Sequence, residues 1–545
     1  MNLIVLVLIA ALPLFPFLHP GLPITHDGAD HVARIANFYQ NLSEGNLIPR
    51  WAANLNWGYG HPILMFLYPL PSYFASLFHF LSFSFIDSLK IVFALGFIAS
   101  GAAMYLWLKN FLDKYAAFFG AILYMFAPYR FVDLYVRGAI GEHIAFIFPP
   151  LLLYFLLKLS QDSKNKLFYI AGVSLSFSFL ILSHNAISLM FIPFIALYII
   201  YLFYLKKNKK FLFLCFLSIL LGLGLSFFFW FPAFFEGKYT LRDIVTEGEY
   251  IKRFASPISL IFGKWSFGGS GIFSTQIGII HLIIALISPV VLLKLFKEKS
   301  KLLLFFVLTL FYFLFSSFLL LKESNIIYQS ITTLQKLQFP WRFLSTVVFS
   351  SAILGAFSIY ILNKRYQKMV LLLLVLLTLG LSFPYWKTNG YFQKGDKFFS
   401  NIYKGTTDTG ESSPIWSIRF MEKSAKATIE VISGEASFEK LQRKSTYHSY
   451  QVNVLSETAR VRENTLYFPN WIVLVDGKET PIEFQDPANR GIITFYVSQG
   501  KHKVELLFKD TKLRTVSNVI SFTSLLTLVL LFGFHLKLKY EKANN

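Results

Sequence analysis

The sequence predicts an all-α multi-pass membrane domain of about twelve spans, followed by a C-terminal extracytoplasmic β-sandwich. Three observations predict it. Of the 545 residues, 55% are hydrophobic and only 15% charged, whereas a soluble chain carries roughly 25% charge. Nearly uncharged runs recur at 3–18, 91–108, 186–205, 211–235, 277–293, 302–321, 343–362, 369–383 and 516–536. Crossing ~30 Å of hydrocarbon takes ~20 apolar residues, and lipid offers no partner to a bare backbone N–H or C=O, so each run must be helical. Between 427 and 508 the pattern changes to short β-branched and aromatic stretches, the signature of strands.

Charge sets the topology. The net charge of +21 gathers in short loops at 109–114, 158–166, 206–210, 294–301 and 363–368 and in the tail 537–542. That is the distribution of a cytoplasmic membrane face, not of a nucleic-acid binder. The first run lacks a basic leader and a small-residue cleavage site, so it reads as a retained span. Residues 62–83 hold Pro62, Pro69 and Pro71 among Tyr68, Ser72, Tyr73 and His79. They read as an interfacial or re-entrant segment. Counting them as a span would put the loop 21–61 on the basic side. Both termini are then cytoplasmic. The outer face carries 21–87, 129–141, 183–185, 236–275, 322–341 and a domain at 387–512. The expected organisation is a transmembrane domain at 1–386, a β-rich extracytoplasmic domain at 387–512, and a last span with its tail at 513–545. Strands are expected at 427–432, 449–455, 465–475, 480–484, 491–497 and 503–508. The Asp476-Gly477 pair is a hairpin signal, and Gln499-Gly500 is a second turn; this spacing suggests a sandwich. The single cysteine, Cys215, lies in an apolar run, which excludes an internal disulfide and a cysteine-built metal site.

The candidate chemistry lies on the outer face. HDGADH at 26–31 places Asp27, Asp30, His26 and His31 just past the first span. Such carboxylates serve as a general base or hold a divalent cation; equally, Asp27 caps an interfacial helix and Arg34 reaches headgroups. NWGYGHP at 56–62 offers Trp57 and Tyr59 as a ring-stacking surface, or as ordinary interfacial anchors. Arg130, Asp133, Arg137, Glu142 and His143 follow Pro128-Tyr129, and ionisable groups at a span's mouth usually face a cavity. His184 sits in a very short turn. Arg342, in LQFPWRFL at 337–344, could grip a phosphate bidentately or snorkel to headgroups.

Together these stretches resemble the GT-C superfamily of membrane glycosyltransferases. The closer resemblance is to the bacterial membrane family called 6-pyruvoyl-tetrahydropterin synthase-related. It rests on HDGADH, PRWAANLNWGYGHP (49–62), PLPSYF (69–74), APYRFVDLYVRGAIGEH (127–143), SHN (183–185) and LQFPWRFL. YFPNWIVLVDGKE (467–479) resembles the end domain of YfhO-type proteins, where a Gly is more usual than Asn470. No tetrahydropterin chemistry is visible. The resemblance implies transfer of a sugar from a polyprenyl-phosphate carrier to a cell-envelope polymer, lipid or protein on the non-cytoplasmic side of the plasma membrane. It makes Asp27, or alternatively Asp30, the base, and Glu142 the second acid. Arg342 and His61 would hold the donor phosphate, with His31, Arg130, His184, Trp57 and Tyr59 lining the substrate site. No metal ligand set is assigned, although some superfamily members use Mg or Mn. His61 stands where some members carry Lys. Two other classes compete: a transporter or flippase of lipid-linked sugars, and a non-catalytic envelope scaffold. Inverted repeats and broken helices in matching halves would favour transport; the sequence shows neither.

Overall fold

The structure, a computed structural model, describes residues 3–161, 165–269 and 272–544. Residues 162–164 of the expected basic loop 158–166, residues 270–271 of the expected outer loop 236–275, and the two chain ends lie outside the described residues. So do most side chains of the basic tail 537–542. Among the described residues eight helices are long and apolar enough to cross a bilayer: Phe85–Leu108, Ile140–Gln161, Lys166–Ser183, Asn185–Lys206, Ile279–Lys297, Pro340–Tyr360, Lys364–Tyr385 and Lys512–Lys537. Among the described residues two further apolar helix pairs are sharply bent, as in a broken span or a re-entrant loop. Lys114–Phe126 meets Pro128–Arg137 at 46°, and Lys209–Leu225 meets Phe227–Tyr239 at 69°. The sequence gives no sign of such breaks on hydropathy alone, and 211–235 reads there as one straight span. At the first break Ala127 is extended (ψ 143°), because Pro128 has no N–H and its ring disfavours a helical residue before it. The second follows Gly222, Gly224 and Ser226, small residues that tolerate a kink. Leu3–Leu18 and Leu303–Leu319 are shorter apolar helices. The first tightens to a narrow 3-10 turn at Leu12–Leu18 around Pro13 and Pro16. The expected twelve spans are reached only if both bent pairs and both short helices cross.

The bundle packs around Pro340–Tyr360, whose most apolar window is 94% buried, against 11% for Lys512–Lys537 at the rim. Ser345, Ser350, Ser351, Ala352, Gly355 and Ala356 keep its surface flat. Lys114–Phe126 therefore comes close: a Cβ on Gly120 would stand 3.0 Å from that of Ala356, the small-on-small contact by which membrane helices associate. Residues 62–83 hold no helix long enough to cross a bilayer. They form a 3-10 turn, Pro62–Met65, and an 11-residue helix, Leu70–Phe80, too short for a bilayer.

The β region starts with a two-stranded clasp. Strand β1 (Leu22–Pro23) pairs antiparallel with β2 (Tyr391–Phe392), which ties the first loop to the C-terminal part of the chain. The remaining strands are β3 (Ile429–Ser433), β4 (Ala436–Arg443), β5 (Tyr447–Leu466), β6 (Trp471–Val475), β7 (Lys478–Thr480) and β8 (Ile492–Phe508). They form one antiparallel sheet in the order β3-β5-β8-β6-β7, with β4 also on β5, rather than the two facing sheets of a sandwich. The expected turn at Gln499-Gly500 lies inside β8. There the register with β5 jumps from Val454↔Gly500 to Thr458↔Ser498, and Gly500 has φ +122°. The glycine marks a bulge, which bends the long strands instead of reversing them. The Asp476-Gly477 hairpin forms as read, with positive φ at both residues. Strand β4 escapes the pattern because it is charged and mostly exposed, the usual state of an edge strand. Residues 393–428 are irregular apart from a short helix, Asp396–Ser400.

A buried ion pair docks the last helix onto the bundle. Arg514 Nε lies 2.8 Å from Glu236 Oε2, both side chains inaccessible. Thr511 donates to the same carboxylate, and Arg514 Nη2 donates to the Pro469 carbonyl. Removing one partner of such a pair leaves an uncompensated charge. Arg514→Leu is expected to lower stability by about 3 kcal/mol or more, and Arg514→Leu combined with Glu236→Leu to restore a large part of it; thermal unfolding in detergent checks both.

Candidate functional site

The site is built on an unusual turn. After Pro128–Phe131 the chain widens into a π-helical turn, Val132–Arg137, and stops at Gly138 in the left-handed region (φ +67°). Helix Ile140–Ala145 then begins. The wide turn sets Asp133 and Arg137 side by side and aims both at Glu142. Arg137 Nη1 lies 2.6 Å from Asp133 Oδ1, 2.9 Å from Glu142 Oε2 and 3.1 Å from the Tyr129 hydroxyl. The Tyr129 hydroxyl donates in turn to Glu142 Oε1. All four side chains are buried. The Trp341 ring covers the Arg137 guanidinium at 4.4 Å and meets Phe273 edge-on at 5.0 Å.

This cluster holds the first acidic loop by its backbone. His26 N donates to the Val136 carbonyl and Asp27 N to the Arg137 carbonyl, both at 2.9 Å. Asp27 stands at the N-terminus of helix Gly28–Ser43, yet its side chain makes no capping bond and is exposed. Its charge is near enough to Arg137 for the two to interact. Asp30, one turn on, is occupied differently. It accepts a hydrogen bond of 2.8 Å from the Tyr403 hydroxyl. Burial raises its carboxyl above the ordinary value, against the opposing pull of Tyr403 and Arg34. His31 is buried, and its Nδ1 accepts from Arg34 Nη1 at 2.9 Å. Burial, with the positive charges of Arg34 and Arg137, holds it well below the usual histidine range, and so neutral. Arg34 also donates to the Thr407 hydroxyl. His184 accepts from Ile187 N through Nδ1 and stacks on Tyr68 at 5.0 Å. Arg342 donates to the Leu337 carbonyl at 2.8 Å and lies over the Phe339 ring at 4.8 Å. Its charge is felt by Glu142, Arg137 and Tyr68.

Of the residues read from sequence, the structure thus gathers Asp27, Asp30, His31, Glu142, His184 and Arg342. It sets four others apart. Arg130 turns away into a cage of Phe97, Tyr124 and Phe146, 4.0 Å from the last ring, with Ser100 as its hydrogen-bond partner. That is where a cation is held, not where it is offered. His61 is buried beneath the segment 400–413, with Nε2 3.2 Å from Ser413 Oγ. Burial lowers its pKa to about 4, and a neutral ring has no charge for a phosphate. Trp57 packs under Lys404, against the irregular segment 393–428, and the Tyr59 carbonyl accepts from Leu466 N at the end of β5. Tyr129, Asp133, Arg137 and Tyr403 also stand here, although the sequence assigned none of them to the site. The four-residue spacing of Asp133 and Arg137 was the available signal for that pair; none existed for Tyr403.

Several buried polar atoms around this cluster have no hydrogen-bond partner among the described residues: His26 Nε2, His31 Nε2, Asp133 Oδ2, Asn185 Oδ1, Trp341 Nε1 and Arg342 Nε. Buried polar groups are rarely left so; a second set, at His448, Arg460, Arg462, Glu463 and Asn464, lies in the β sheet. Among the described residues no group of three His, Cys, Asp or Glu side chains could hold a metal ion.

The His61 environment has a pH consequence. Its folded-state pKa lies below the unfolded value of about 6.5, so the unfolded chain binds the extra proton. Its contribution is fully present above pH 6.5 and is lost as pH falls toward 4. His61→Gln is expected to remove about 3 kcal/mol of acid destabilisation over that window, seen as a flatter plot of melting temperature against pH.

A family model described as "6-pyruvoyl-tetrahydropterin synthase related domain; membrane protein" matches residues 64–388, from the turn after His61 through the last helix before the β region. An uncharacterized protein of Lactococcus lactis subsp. cremoris (strain MG1363) is 28% identical over 272 residues, 48% of this chain and 44% of that one. Among solved structures, the arabinofuranosyltransferase AftD from Mycobacteria gives a TM-score of 0.47 at 13% identity, over 70% of this chain and 26% of that one. The Archaeoglobus fulgidus oligosaccharyltransferase gives 0.38 at 12% identity, over 74% and 58%. The chain therefore spans less than two thirds of each of these relatives. The family match takes in more than half of the chain, including the Tyr129–Glu142 cluster, His184 and Arg342, and on that ground the chain belongs to the 6-pyruvoyl-tetrahydropterin synthase-related family of membrane proteins.

Proposed function

We propose that this protein is a GT-C-type membrane glycosyltransferase, moving a sugar from a polyprenyl-phosphate donor to a hydroxyl acceptor outside the cytoplasm. The observation that carries the reading is a free carboxylate, Asp27, beside the buried Arg137–Asp133–Glu142 cluster, with a buried cation, Arg342, close to that cluster and its Nε without a partner among the described residues. In this reading Asp27 takes the proton of the acceptor hydroxyl. The acceptor oxygen forms its bond to the sugar's anomeric carbon as the bond to the phosphate oxygen breaks. The departing phosphate carries the charge, and Arg342 stabilises it as it develops. Glu142 and Asp133 do not react; they hold Arg137, whose carbonyl holds Asp27. The basic loops lie in the cytoplasm, the site and the β sheet outside, and both termini inside.

A transport reading has one observation in its favour. Among the described residues two apolar helix pairs are sharply bent, and one break opens directly into the Tyr129–Arg137 cluster; transporters place ligands at such breaks. The two readings separate in one experiment. Purified protein in lipid is given radiolabelled polyprenyl-phosphate sugars and a crude envelope acceptor. Transfer by wild type is expected, with Asp27→Asn lowering the rate about 10²–10⁴-fold while donor binding persists. Asp30→Asn should lose far less, and Arg342→Ala should lose donor binding. Saturable donor binding and movement across vesicles with no transfer from any donor would overturn the enzyme reading in favour of transport.

A further inference from the structure

A second site opens beside Pro128, and none of the acidic cluster's residues lines it. Helices Ile279–Lys297 and Lys364–Ser382 leave between their ends a groove of about 400 Å³, counting its open mouth, lined by Pro128, Gln276, Gly278, His281, Ser382 and Tyr385 among others. Both helices are largely bare of protein contacts, with only 33% and 22% of their apolar windows buried. The groove's lips, Ile279 and Leu381, are exposed apolar side chains. In a membrane protein such a mouth opens to lipid. Among the described residues no Lys, Arg, Asp or Glu lines it.

Its floor carries one polar atom that asks for a specific partner. Ser351 Oγ donates its only proton to the Val348 carbonyl at 3.1 Å. With that proton assigned to Val348, the imidazole is assigned as the donor in the 2.8 Å contact between His281 Nδ1 and Ser351 Oγ. A neutral ring protonated at Nδ1 has a bare lone pair at Nε2, and no carboxylate is present to support a doubly protonated one. His281 is buried at 2% exposure, and Nε2 has no partner among the described residues. The ring edge carrying Nε2 lies beside Gly278: a Cβ there would stand 3.2 Å from His281 Cδ2. The groove stays open because Gly278, at φ +108°, has no side chain. On the wall, Gln276 donates to the Tyr385 hydroxyl at 2.8 Å, and Tyr385 is stacked on Trp265 at 4.6 Å. The rim is thus fixed before any ligand arrives.

We infer that this groove binds a neutral membrane lipid whose headgroup carries a free hydroxyl, donated to His281 Nε2. An ionised phosphate carries a charge that nothing in the lining neutralises, so an anionic headgroup is the wrong chemistry. The apolar lips suit the first carbons of the lipid tails. The inference stands apart from the proposed transferase, since none of its residues belongs to the acidic cluster.

The test places the intact protein in phosphatidylcholine nanodiscs doped with monoglucosyl-diacylglycerol, with its permethylated analogue, or with phosphatidic acid. Lipid retained on the protein is read by native mass spectrometry. Wild type is expected to retain the glucosyl lipid about tenfold more strongly than the permethylated one, and to show no preference for phosphatidic acid. His281→Phe should erase that difference, and Asp27→Asn should leave it unchanged. Equal retention of the hydroxylated and permethylated lipids by wild type, a preference for phosphatidic acid, or a difference that survives in His281→Phe overturns the inference. The wild-type comparison needs no variant, so misfolding of His281→Phe does not protect the claim.

Discussion

Arg137 is a cation that cannot reach water, and much of the structure follows from that. A buried charge must be paired and hydrogen-bonded or it costs several kcal/mol. Arg137 finds Asp133 within its own wide turn, Glu142 on the helix that follows and Tyr129 on the segment before. Trp341, from a span 200 residues away in sequence, closes over it. The π-helical turn is what lets two carboxylates share one guanidinium; wide turns inside α-helices are frequent at functional sites. Because the Arg137 carbonyl takes the Asp27 N–H, the exposed carboxylate inherits its position from the buried pair.

The second organising constraint is that the first loop is covered from the C-terminal side. The β1–β2 clasp, the Tyr403–Asp30 bond, the Arg34–Thr407 contact and the His61–Ser413 contact all join residues 22–61 to residues 391–413. The Arg514–Glu236 pair then docks the last helix against the bundle. The acidic loop is therefore a composite of the two ends of the chain. This is why Asp27 and Asp30, three residues apart in one motif, have different surroundings. One is held by its backbone and left free at its carboxylate; the other is engaged by a tyrosine from the far end of the chain.

What the sequence determined by itself is what depends on neighbours along the chain. Hydropathy over ~20 residues located the apolar helices, and the prolines at 62, 69 and 71 go with a turn and a short helix there in place of one long helix. The Asp476-Gly477 pair located a hairpin, because positive φ at two successive positions is a local demand. The motif stretches led to Glu142, His184 and Arg342, which the structure places together. What only the tertiary structure decided is what depends on neighbours in space. Arg130 and Arg137 look alike in sequence; one is caged by rings and the other is bridged by acids. Gln499-Gly500 reads as a turn and is a bulge, because β5 runs alongside and keeps β8 extended. His61 reads as a phosphate ligand and is a neutral buried ring, because residues 408–413 fold over it. Tyr403 had no local signal at all. Pairing of buried charges, curvature of a sheet and coverage of a loop are settled by which segment arrives opposite, and that information is spread over the whole chain.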